Sequence, residues 1–309
     1  MNGFSVPAIS STIVIMTPLL LAAIGGAFSA ISGLLNIALE GLMLNAAFFA
    51  IVLTNLTGSL FLGIIGAIAA TLLLTALFGA VSFKLKANIF ICGLATNFLA
   101  IALSIVLAHT LYGRTGSVQF PGMPRLMPLE IPVLGDIPVL GDIFSGHNAI
   151  VYVSWLLLIV AGIVINRTPF GMRLRAVGID EKAARAIGIN TKRIQFTALL
   201  VSGFTCALGG AVLSLTLGAF VPNVTSGRGW IALVIVYLGR MKPLGILIGS
   251  VVFGFVDYMS NHLQTTSDIP SGLLLSLPFF ATVVALVIYS IGAQAMSKKG
   301  ILRSVKRVS

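Results

Sequence analysis

Residues 171–189 read GMRLRAVGIDEKAARAIGI, a charged stretch in a chain that is otherwise mostly apolar. The 309-residue chain is 58% apolar and only 9% charged, and its mean hydropathy is +1.08. Soluble domains carry about 25% charged residues, so this composition indicates a protein whose solvent is the lipid bilayer. Because loops rich in Lys and Arg remain on the cytoplasmic side, we interpret the stretch as a cytoplasmic loop between two membrane spans.

The charged stretch also has the pattern of two short amphipathic helices, divided by Gly178 and Gly188. Asp180 stands just before EKAARAI, where its carboxylate can cap the second helix. Such a helix pair either rests on lipid headgroups or docks a soluble partner, and we favour docking. The residues assigned to docking are Gly171, Arg173, Arg175, Gly178, Asp180, Glu181, Ala183, Ala184, Arg185 and Gly188.

Apolar segments outside this stretch predict about nine membrane spans. They cover approximately residues 12–29, 34–53, 60–81, 89–111, 149–165, 196–217, 230–238, 244–262 and 273–291. A span needs about 20 residues, so the short seventh segment predicts a broken or tilted helix. The chain is therefore expected to be all-α, a polytopic helical membrane protein forming one transmembrane domain over residues 1–309.

The distribution of basic residues predicts the orientation of these spans. With the loop 167–195 in the cytoplasm, 16 of the 19 Lys and Arg residues fall inside, and only Arg114, Arg125 and Arg228 fall outside. The N-terminus is then outside and the C-terminus inside, with an extracytoplasmic loop at 112–147 and a basic cytoplasmic tail at 297–309. The net charge of +11 thus indicates topology and attraction to anionic membrane lipid, and we expect no nucleic-acid partner.

Polar residues inside the predicted spans are expensive in lipid and need partners. Glu40 and Asp257 are the only acids predicted within spans, and each has an amide four residues away, on the same helix face. These residues either join helices by hydrogen bonds or face a translocation path. As a set we assign to a substrate path Asn36, Glu40, Asn45, Phe48, Asn97, Asp257 and Asn261.

Motifs for catalysis are absent from the sequence. The chain has no G-x-x-x-x-G-K-[ST] phosphate loop, no H-E-x-x-H metal motif and no G-x-S-G nucleophile motif within a span. We therefore predict no enzymatic activity, no catalytic residue, no metal site and no cofactor.

Four segments in order resemble permeases of ATP-binding-cassette (ABC) importers for simple sugars, nucleosides and branched-chain amino acids. They are NIALEG at 36–41, ANIFICGLATN at 87–97, TPFGMRLRAVG at 168–178 followed by EKAARAIGI, and LGRMKPLGILIG at 238–249. The resemblance implies a multi-pass protein of the bacterial cytoplasmic (inner) membrane that works by alternating access. It also implies partners: a separate ATPase subunit, a second and preferably different permease subunit, and an extracytoplasmic substrate-binding protein or lipoprotein.

Within that family we favour nucleosides, because the chain is most similar to the shorter permease of nucleoside importers. The polar path candidates could hydrogen-bond ribose and base edges, and Phe48 or Phe98 could stack on a base. Simple sugars such as ribose or galactose are the close alternative. Branched-chain amino acids are less favoured, since no mid-span Lys or Arg is predicted to bind a carboxylate. A passive facilitator or channel is the alternative of a different class.

The outer loop contains a repeated hexapeptide that has two interpretations. The hexapeptide IPVLGD occurs at 131–136 and again at 137–142. We favour a duplicated turn, built by Pro and Gly-Asp, that packs its apolar side chains on the membrane face. The alternative is a contact surface for the extracytoplasmic binding protein.

Overall fold

The protein, described by a computed structural model, is built almost entirely from helices. The structure describes residues 6–113, 116–130, 140–267 and 269–305. In chain order its helices are α1 (Val6–Ile31), α2 (Leu39–Thr57), α3 (Leu60–Lys84), α4 (Ile89–Tyr112), α5 (Leu140–Phe144), α6 (Ala149–Arg167), α7 (Pro169–Ile179), α8 (Glu181–Ala186), α9 (Thr191–Leu217), α10 (Arg228–Leu238), α11 (Pro243–Thr266) and α12 (Ser271–Val305). Its strands form two antiparallel ribbons, β1 (Val118–Gln119) with β4 (Ala219–Phe220) and β2 (Pro128–Leu129) with β3 (His147–Asn148).

Eight helices in the described ranges are long and apolar enough to cross a membrane: α1, α2, α3, α4, α6, α9, α11 and residues 271–291 of α12. The predicted class, an all-α polytopic membrane protein, is confirmed. The predicted seventh span corresponds to α10, which has only 11 residues. At a rise of about 1.5 Å per residue it is about 16 Å long, roughly half the thickness of the hydrocarbon core.

Helices α1, α2 and α9 form the buried centre of the bundle, and α3, α4, α6, α11 and α12 turn most of their residues outward. A side-chain carbon at Gly25 of α1 would lie 2.7 Å from the Cα of Ser202 in α9. A side-chain carbon at Gly210 of α9 would lie 2.0 Å from the carbonyl oxygen of Met43 in α2. Glycine at these two positions therefore allows α9 to pack in backbone contact with both neighbours, as small residues do between membrane helices.

Hydroxyl side chains inside the spans often bond within their own helix. The Thr17 hydroxyl donates to the carbonyl of Ile13 at 2.8 Å, and the Thr75 hydroxyl donates to the carbonyl of Thr71 at 2.7 Å. Because an unpaired polar group in hydrocarbon costs several kcal/mol, these bonds let polar residues reside in a bilayer.

The connection between α1 and α2 differs from the predicted second span. Asn36 precedes α2 and does not lie inside it, so the predicted helical i,i+4 pair of Asn36 and Glu40 is wrong. The Asn36 amide oxygen accepts a hydrogen bond from the backbone N–H of Ala38 at 3.1 Å, and its amide nitrogen donates to the Ser202 hydroxyl at 2.9 Å. An asparagine that bonds nearby backbone competes with helix formation, which explains why α2 starts only at Leu39.

Both strand ribbons lie at the end of the bundle opposite α7 and α8. The β1–β4 ribbon brings Phe220 onto α2, where its ring packs edge-to-face on Phe48 with ring centres 5.1 Å apart.

The first IPVLGD copy and half of the second fall on residues 131–139, which lie outside the described residues. Arg114 and the last part of the predicted basic tail, residues 306–309, lie outside them as well.

Candidate functional site

A buried carboxylate meets the start of the half-length helix α10. The Glu40 side chain, at the beginning of α2, is only 6% exposed. One carboxylate oxygen accepts hydrogen bonds from the Thr225 hydroxyl at 2.5 Å and the Gly227 N–H at 2.8 Å, and the other accepts from the Gly229 N–H at 2.7 Å. The first N–H groups of a helix lack partners inside the helix and carry partial positive charge. Glu40 thus caps α10 from a different helix.

The turn before α10 has a geometry that depends on glycine. A side-chain carbon at Gly229 would lie 2.4 Å from the backbone nitrogen of Glu40, so only glycine permits this approach. Gly227 has a φ of +78°, and the nearby Asn223 and Ser226 adopt φ angles of +59° and +46°. Left-handed angles at non-glycine residues cost about 1 kcal/mol or more each. The hydrogen bonds to Glu40 help to hold this strained turn in place.

A charge pair links α10 to α11 beside the same turn. The Arg228 guanidinium donates to an Asp257 carboxylate oxygen at 2.9 Å and to the Val224 carbonyl at 3.3 Å. The two charged side chains are 19% and 14% exposed. The Arg228 Nε is buried and has no hydrogen-bond partner among the described residues. Asp257 and the Val224 carbonyl therefore fix the position of Arg228.

These groups border one cavity of about 690 Å³ between α2, α4, α10, α11 and α12. Its polar side chains are Glu40, Asn97, Asn223, Ser226, Arg228, Asp257 and Asn261. Three aromatic side chains, Phe98, Trp230 and Phe279, also line it and are exposed within the single chain. A concave site with a few polar groups and aromatic faces can hold a small organic molecule.

The electrostatics of the cavity disfavour an anionic ligand. Arg228 is the one cationic side chain that lines it in the described structure, and that charge is balanced by Asp257. Glu40 occupies the N-terminus of α10, the place where a broken membrane helix would otherwise attract an anion. A carboxylate or phosphate in this cavity would therefore find no unpaired positive group.

Four of the seven residues predicted for a substrate path line the cavity: Glu40, Asn97, Asp257 and Asn261. Asn97 also supports the irregular start of α2. Its amide nitrogen donates to the Ile37 carbonyl at 3.0 Å, and its amide oxygen accepts from the Gly41 N–H at 2.8 Å. In contrast, the described structure contains no hydrogen bond from the Asn261 side chain, which is exposed at the cavity.

The other three predicted path residues lie away from the cavity, inside the bundle. Asn36 holds the connection before α2, as described above. The Asn45 amide donates to the Thr71 hydroxyl at 3.3 Å, between α2 and α3. Phe48 is 2% exposed and packs against Phe220. In this conformation each of the three contributes to helix packing.

The residues that complete this site around Glu40 are not among those predicted from the sequence. Thr225, Gly227, Arg228 and Gly229 all lie in the turn or first residues of α10, and Arg228 was assigned to the outside as a loop residue. A signal was present, because SGRGW at 226–230 places an Arg between two glycines at the start of an unusually short apolar segment. A short, glycine-interrupted span is a pointer to a binding site in transporters.

The predicted pair of short helices is present as α7 and α8. They lie at one end of the bundle, which we call the basic end. This end is defined by Lys84, Lys86, residues 167–193, Arg240 and Lys242. Gly178 lies inside α7, one residue before its end. A side-chain carbon there would lie 1.9 Å from the carbonyl oxygen of Ile31, so glycine allows α7 to touch the end of α1. Leu174 and Val177 are buried and anchor α7 to the bundle.

Helix α8 begins with the predicted cap. The Asp180 carboxylate accepts hydrogen bonds from the backbone N–H groups of Lys182 at 2.8 Å and Ala183 at 3.0 Å. One turn later, Arg185 forms an exposed ion pair with Glu181 at 2.5 Å. Ala184 is 3% exposed and packs within the chain, so a second protein could reach Ala183 but not Ala184.

The outward face of α7 and α8 combines apolar and basic side chains. Met172 and Ile179 of α7 and Ile187, which directly follows α8, are exposed, and Ile179 is the most exposed of them at 86%. Arg173 and Lys182 are exposed on the same two helices. Large apolar side chains that are exposed beside charges are typical of a protein contact surface.

Within the described ranges, no group of three or more His, Cys, Asp or Glu side chains is arranged to hold a metal ion.

Comparison with known proteins gives both a family and relatives. The profile of a family described as "Branched-chain amino acid transport system / permease component" matches residues 8–291. The chain is 33% identical to the guanosine ABC transporter permease protein NupQ of Bacillus subtilis (strain 168), over 95% of each chain. It is 28% identical to the nucleoside ABC transporter permease protein NupC of Lactococcus lactis subsp. cremoris (strain MG1363), over 91% of each chain.

A further relative and a solved structure extend these similarities. A Haloferax volcanii protein, provisionally named glucose ABC transporter permease protein TsgC13, is 31% identical over 86% of this chain and 80% of its own length. The fold is similar to that of a metal-chelate type ABC transporter in an inward-facing conformation, with a TM-score of 0.54 and 18% identity, covering 92% of this chain and 85% of that one. At this identity the structural likeness concerns the fold alone.

Proposed function

The chain belongs to the family of permease components of branched-chain amino acid transport systems, and we propose that it is the permease subunit of an ATP-driven importer that carries nucleosides. The chain itself provides the membrane path and makes or breaks no covalent bond. Two relatives named for guanosine and nucleoside transport, similar over more than nine-tenths of their length, support nucleosides as the solute.

The observation that carries the choice of solute is the charge balance of the cavity. Arg228 is paired with Asp257, and Glu40 occupies the N-terminus of α10. A nucleoside is uncharged at neutral pH and needs no cationic partner, whereas a branched-chain amino acid carries a carboxylate that would. The exposed rings of Phe98, Trp230 and Phe279 offer faces for a base, and the Asn261 amide is free to bond ribose hydroxyls.

Simple sugars are the second candidate solute. A relative provisionally named as a glucose permease favours them, and ribose would use the same amide and carboxylate groups as a nucleoside. The aromatic faces favour a nucleoside, because a base adds a flat π-surface for stacking that ribose alone lacks.

Uptake by cells tests the proposal directly. Cells that lack this chain, and the same cells with the chain restored, would receive labelled uridine, adenosine or ribose at equal concentration. We expect deletion to abolish uridine and adenosine uptake and to leave ribose uptake unchanged. Loss of ribose uptake with unchanged nucleoside uptake would assign the chain to sugars and refute nucleosides.

We further propose that α7 and α8 dock the ATPase subunit at the cytoplasmic face. This proposal is supported by their exposed apolar and basic side chains. The basic end is then inside, which corresponds to an N-terminus outside and a C-terminus inside the bacterial cytoplasmic membrane. A second permease, expected to be a different chain, would close the other side of the cavity, and an extracytoplasmic binding protein would deliver the solute.

The contacts of α7 suggest how ATP would change the cavity. ATP binding would draw two ATPase subunits together and move α7, which touches the end of α1 at Gly178. Helix α1 packs along α9, α10 and α11, so its displacement would reach the cavity between α2 and α10. Alternating access then follows if the ATPase states favour two different arrangements of these helices.

A charge reversal tests docking. Arg185→Glu exchanges an exposed cation on α8 for an anion and should weaken copurification of the ATPase or uncouple ATP hydrolysis from uptake. The matched control is Lys84→Glu, which makes the same charge change at the basic end but outside α7 and α8. Normal ATPase association and coupled uptake with Arg185→Glu would refute the docking role.

A further inference from the structure

A second cavity of about 690 Å³ lies at the basic end, remote from the solute cavity. Its walls come from the end of α1, from α6, from α7 and from the turn between α10 and α11. We infer that this cavity is a binding site for the headgroup of an anionic glycerophospholipid. This inference does not depend on which solute the protein carries.

Three cationic side chains from separate segments meet at this cavity. Arg175 comes from α7, and Arg240 and Lys242 come from the turn between α10 and α11. No Asp or Glu is among the described residues that line the cavity, and none of the three cations forms an ion pair in the described structure. The guanidinium of Arg240 lies 6.0 Å from the centre of the Tyr289 ring, a contact that leaves its charge unneutralised. The cavity is therefore positive and suited to a phosphate group.

The backbone of this turn is strained in a way that presents the cations. Arg240 and Met241 both have positive φ, at +53° and +58°, which is costly for residues other than glycine. Gly239 and Gly245 pack so closely that a side-chain carbon at Gly245 would lie 2.3 Å from the Gly239 carbonyl oxygen. The sharp turn places Arg240 and Lys242 beside the end of α6.

Apart from Asn166, the remaining wall of the cavity is apolar, and exposed apolar side chains lie on the same helices. Ile165 and Met241 line it, together with the exposed Leu244. Beyond the cavity, Ile163 of α6 and Ile248 of α11 are exposed on the same two helices. A positive pocket flanked by two membrane spans with exposed apolar side chains matches a phosphate headgroup with its acyl chains.

This combination of charge and apolar surface favours lipid over the two other sources of anionic groups. A soluble phosphate would gain nothing from the apolar side chains. An acidic surface of the ATPase would be expected against the exposed tips of α7 and α8, whereas this cavity is also bounded by α6 and α11, which are spans. Because the site includes Arg175 and Gly178 of α7, a bound lipid would touch the helix pair that we propose docks the ATPase.

Lipid retention tests the inference without requiring transport. The complete importer would be purified into nanodiscs that contain phosphatidylglycerol and phosphatidylcholine in equal amounts, and retained lipid would be counted by native mass spectrometry. We expect the wild type to retain phosphatidylglycerol selectively. In the variant Arg175→Gln/Lys242→Gln, the amount of retained phosphatidylglycerol should fall about fivefold for each cation removed.

Two further variants separate the site from diffuse charge and from misfolding. Lys84→Gln/Lys86→Gln removes the same charge at the basic end outside the cavity and should retain phosphatidylglycerol like the wild type. Gly162→Leu leaves the charge unchanged but fills part of the cavity, since Gly162 lines it and a side-chain carbon there would lie 3.5 Å from Pro243. This variant should lose phosphatidylglycerol while the complex still elutes as one species.

Three outcomes would overturn the inference. Equal losses in the pocket variant and the Lys84/Lys86 variant would show only diffuse attraction between the basic end and the membrane. Displacement of the lipid by millimolar inorganic phosphate would assign the site to a soluble anion. Unchanged lipid retention with loss of the ATPase in Arg175→Gln/Lys242→Gln would assign the cations to the docking surface.

Discussion

Two short helices in this protein are capped by carboxylates, and the two caps differ in almost every other respect. Asp180 caps α8 from the adjacent position in the chain and is exposed. Glu40 caps α10 from a different helix, 185 to 189 residues away from its three donors, and is buried. The first cap defines one end of a surface helix, whereas the second joins two membrane helices at a cavity.

The same capping chemistry therefore has a different energetic weight in the two environments. In water, an uncapped N–H group is solvated, so a cap contributes about 1 kcal/mol. Around Glu40, which is only 6% exposed, little water can replace the missing acceptor, and the uncapped groups retain much of their desolvation cost. Glu40 is therefore expected to determine the arrangement of α2 and α10, while Asp180 adjusts only the stability of α8.

The largest effect is expected when the buried cap is removed. Glu40→Ala takes the acceptor from the Thr225 hydroxyl and from the Gly227 and Gly229 N–H groups. Leaving buried donors without an acceptor costs about 1–3 kcal/mol for each donor, so the purified protein should unfold at a much lower temperature and nucleoside uptake should be lost. Thermal unfolding monitored by fluorescence size-exclusion chromatography measures the first of these effects.

Asn45→Ala is the matched control for Glu40→Ala on the same helix. Asn45 is also buried, but it makes one hydrogen bond, to Thr71 at 3.3 Å, and its loss should cost about 1 kcal/mol. If the two substitutions lowered the unfolding temperature equally, the special weight of the buried cap would be refuted.

An intermediate effect is expected at the pair of Arg228 and Asp257. Arg228→Gln or Asp257→Asn alone leaves a partly buried charge without its partner, at a cost of about 2 kcal/mol. The double variant removes both charges and should be more stable than the sum of the two single losses predicts. A double-mutant cycle on the unfolding temperature provides the measurement, and strictly additive losses would show that the pair contributes no coupling.

The smallest effect is expected at the exposed cap. Asp180→Ala should cost about 1 kcal/mol and leave the unfolding temperature of the whole protein unchanged. The loss should be local, so the amide hydrogens of α8 should exchange about fivefold faster. Asp180→Ser is the control, since a Ser hydroxyl can also cap a helix. Faster exchange throughout the bundle would contradict a purely local role.

The sequence predicted those features that depend on neighbouring residues. The eight long spans follow from continuous apolar runs, and the cap by Asp180 follows from a donor only two residues away. The shortness of the seventh segment was also visible, because length is a property of the segment itself.

The features that escaped the sequence analysis depend on contacts between distant residues. Nothing in the local pattern around Glu40 indicates that its carboxylate oxygens accept hydrogen bonds from Thr225 and Gly229, which are distant in sequence. Asn36 was placed in α2 because apolar neighbours continue the helical pattern, while its bonds to Ala38 and Ser202 oppose that helix. The sequence predicts Arg228 in an outer loop, because its partner, Asp257, lies on another span and is not visible in the local pattern.

We propose that this permease carries an uncharged nucleoside through the cavity that Glu40 and Asp257 border. ATP-driven accumulation of labelled uridine, ribose and leucine would be measured in proteoliposomes that contain the purified importer and the binding protein that we propose for it. We predict that uridine accumulates, that ribose and leucine stay at the level without ATP, and that Glu40→Ala abolishes the uridine signal. Accumulation of leucine or ribose with no accumulation of uridine would contradict the claim.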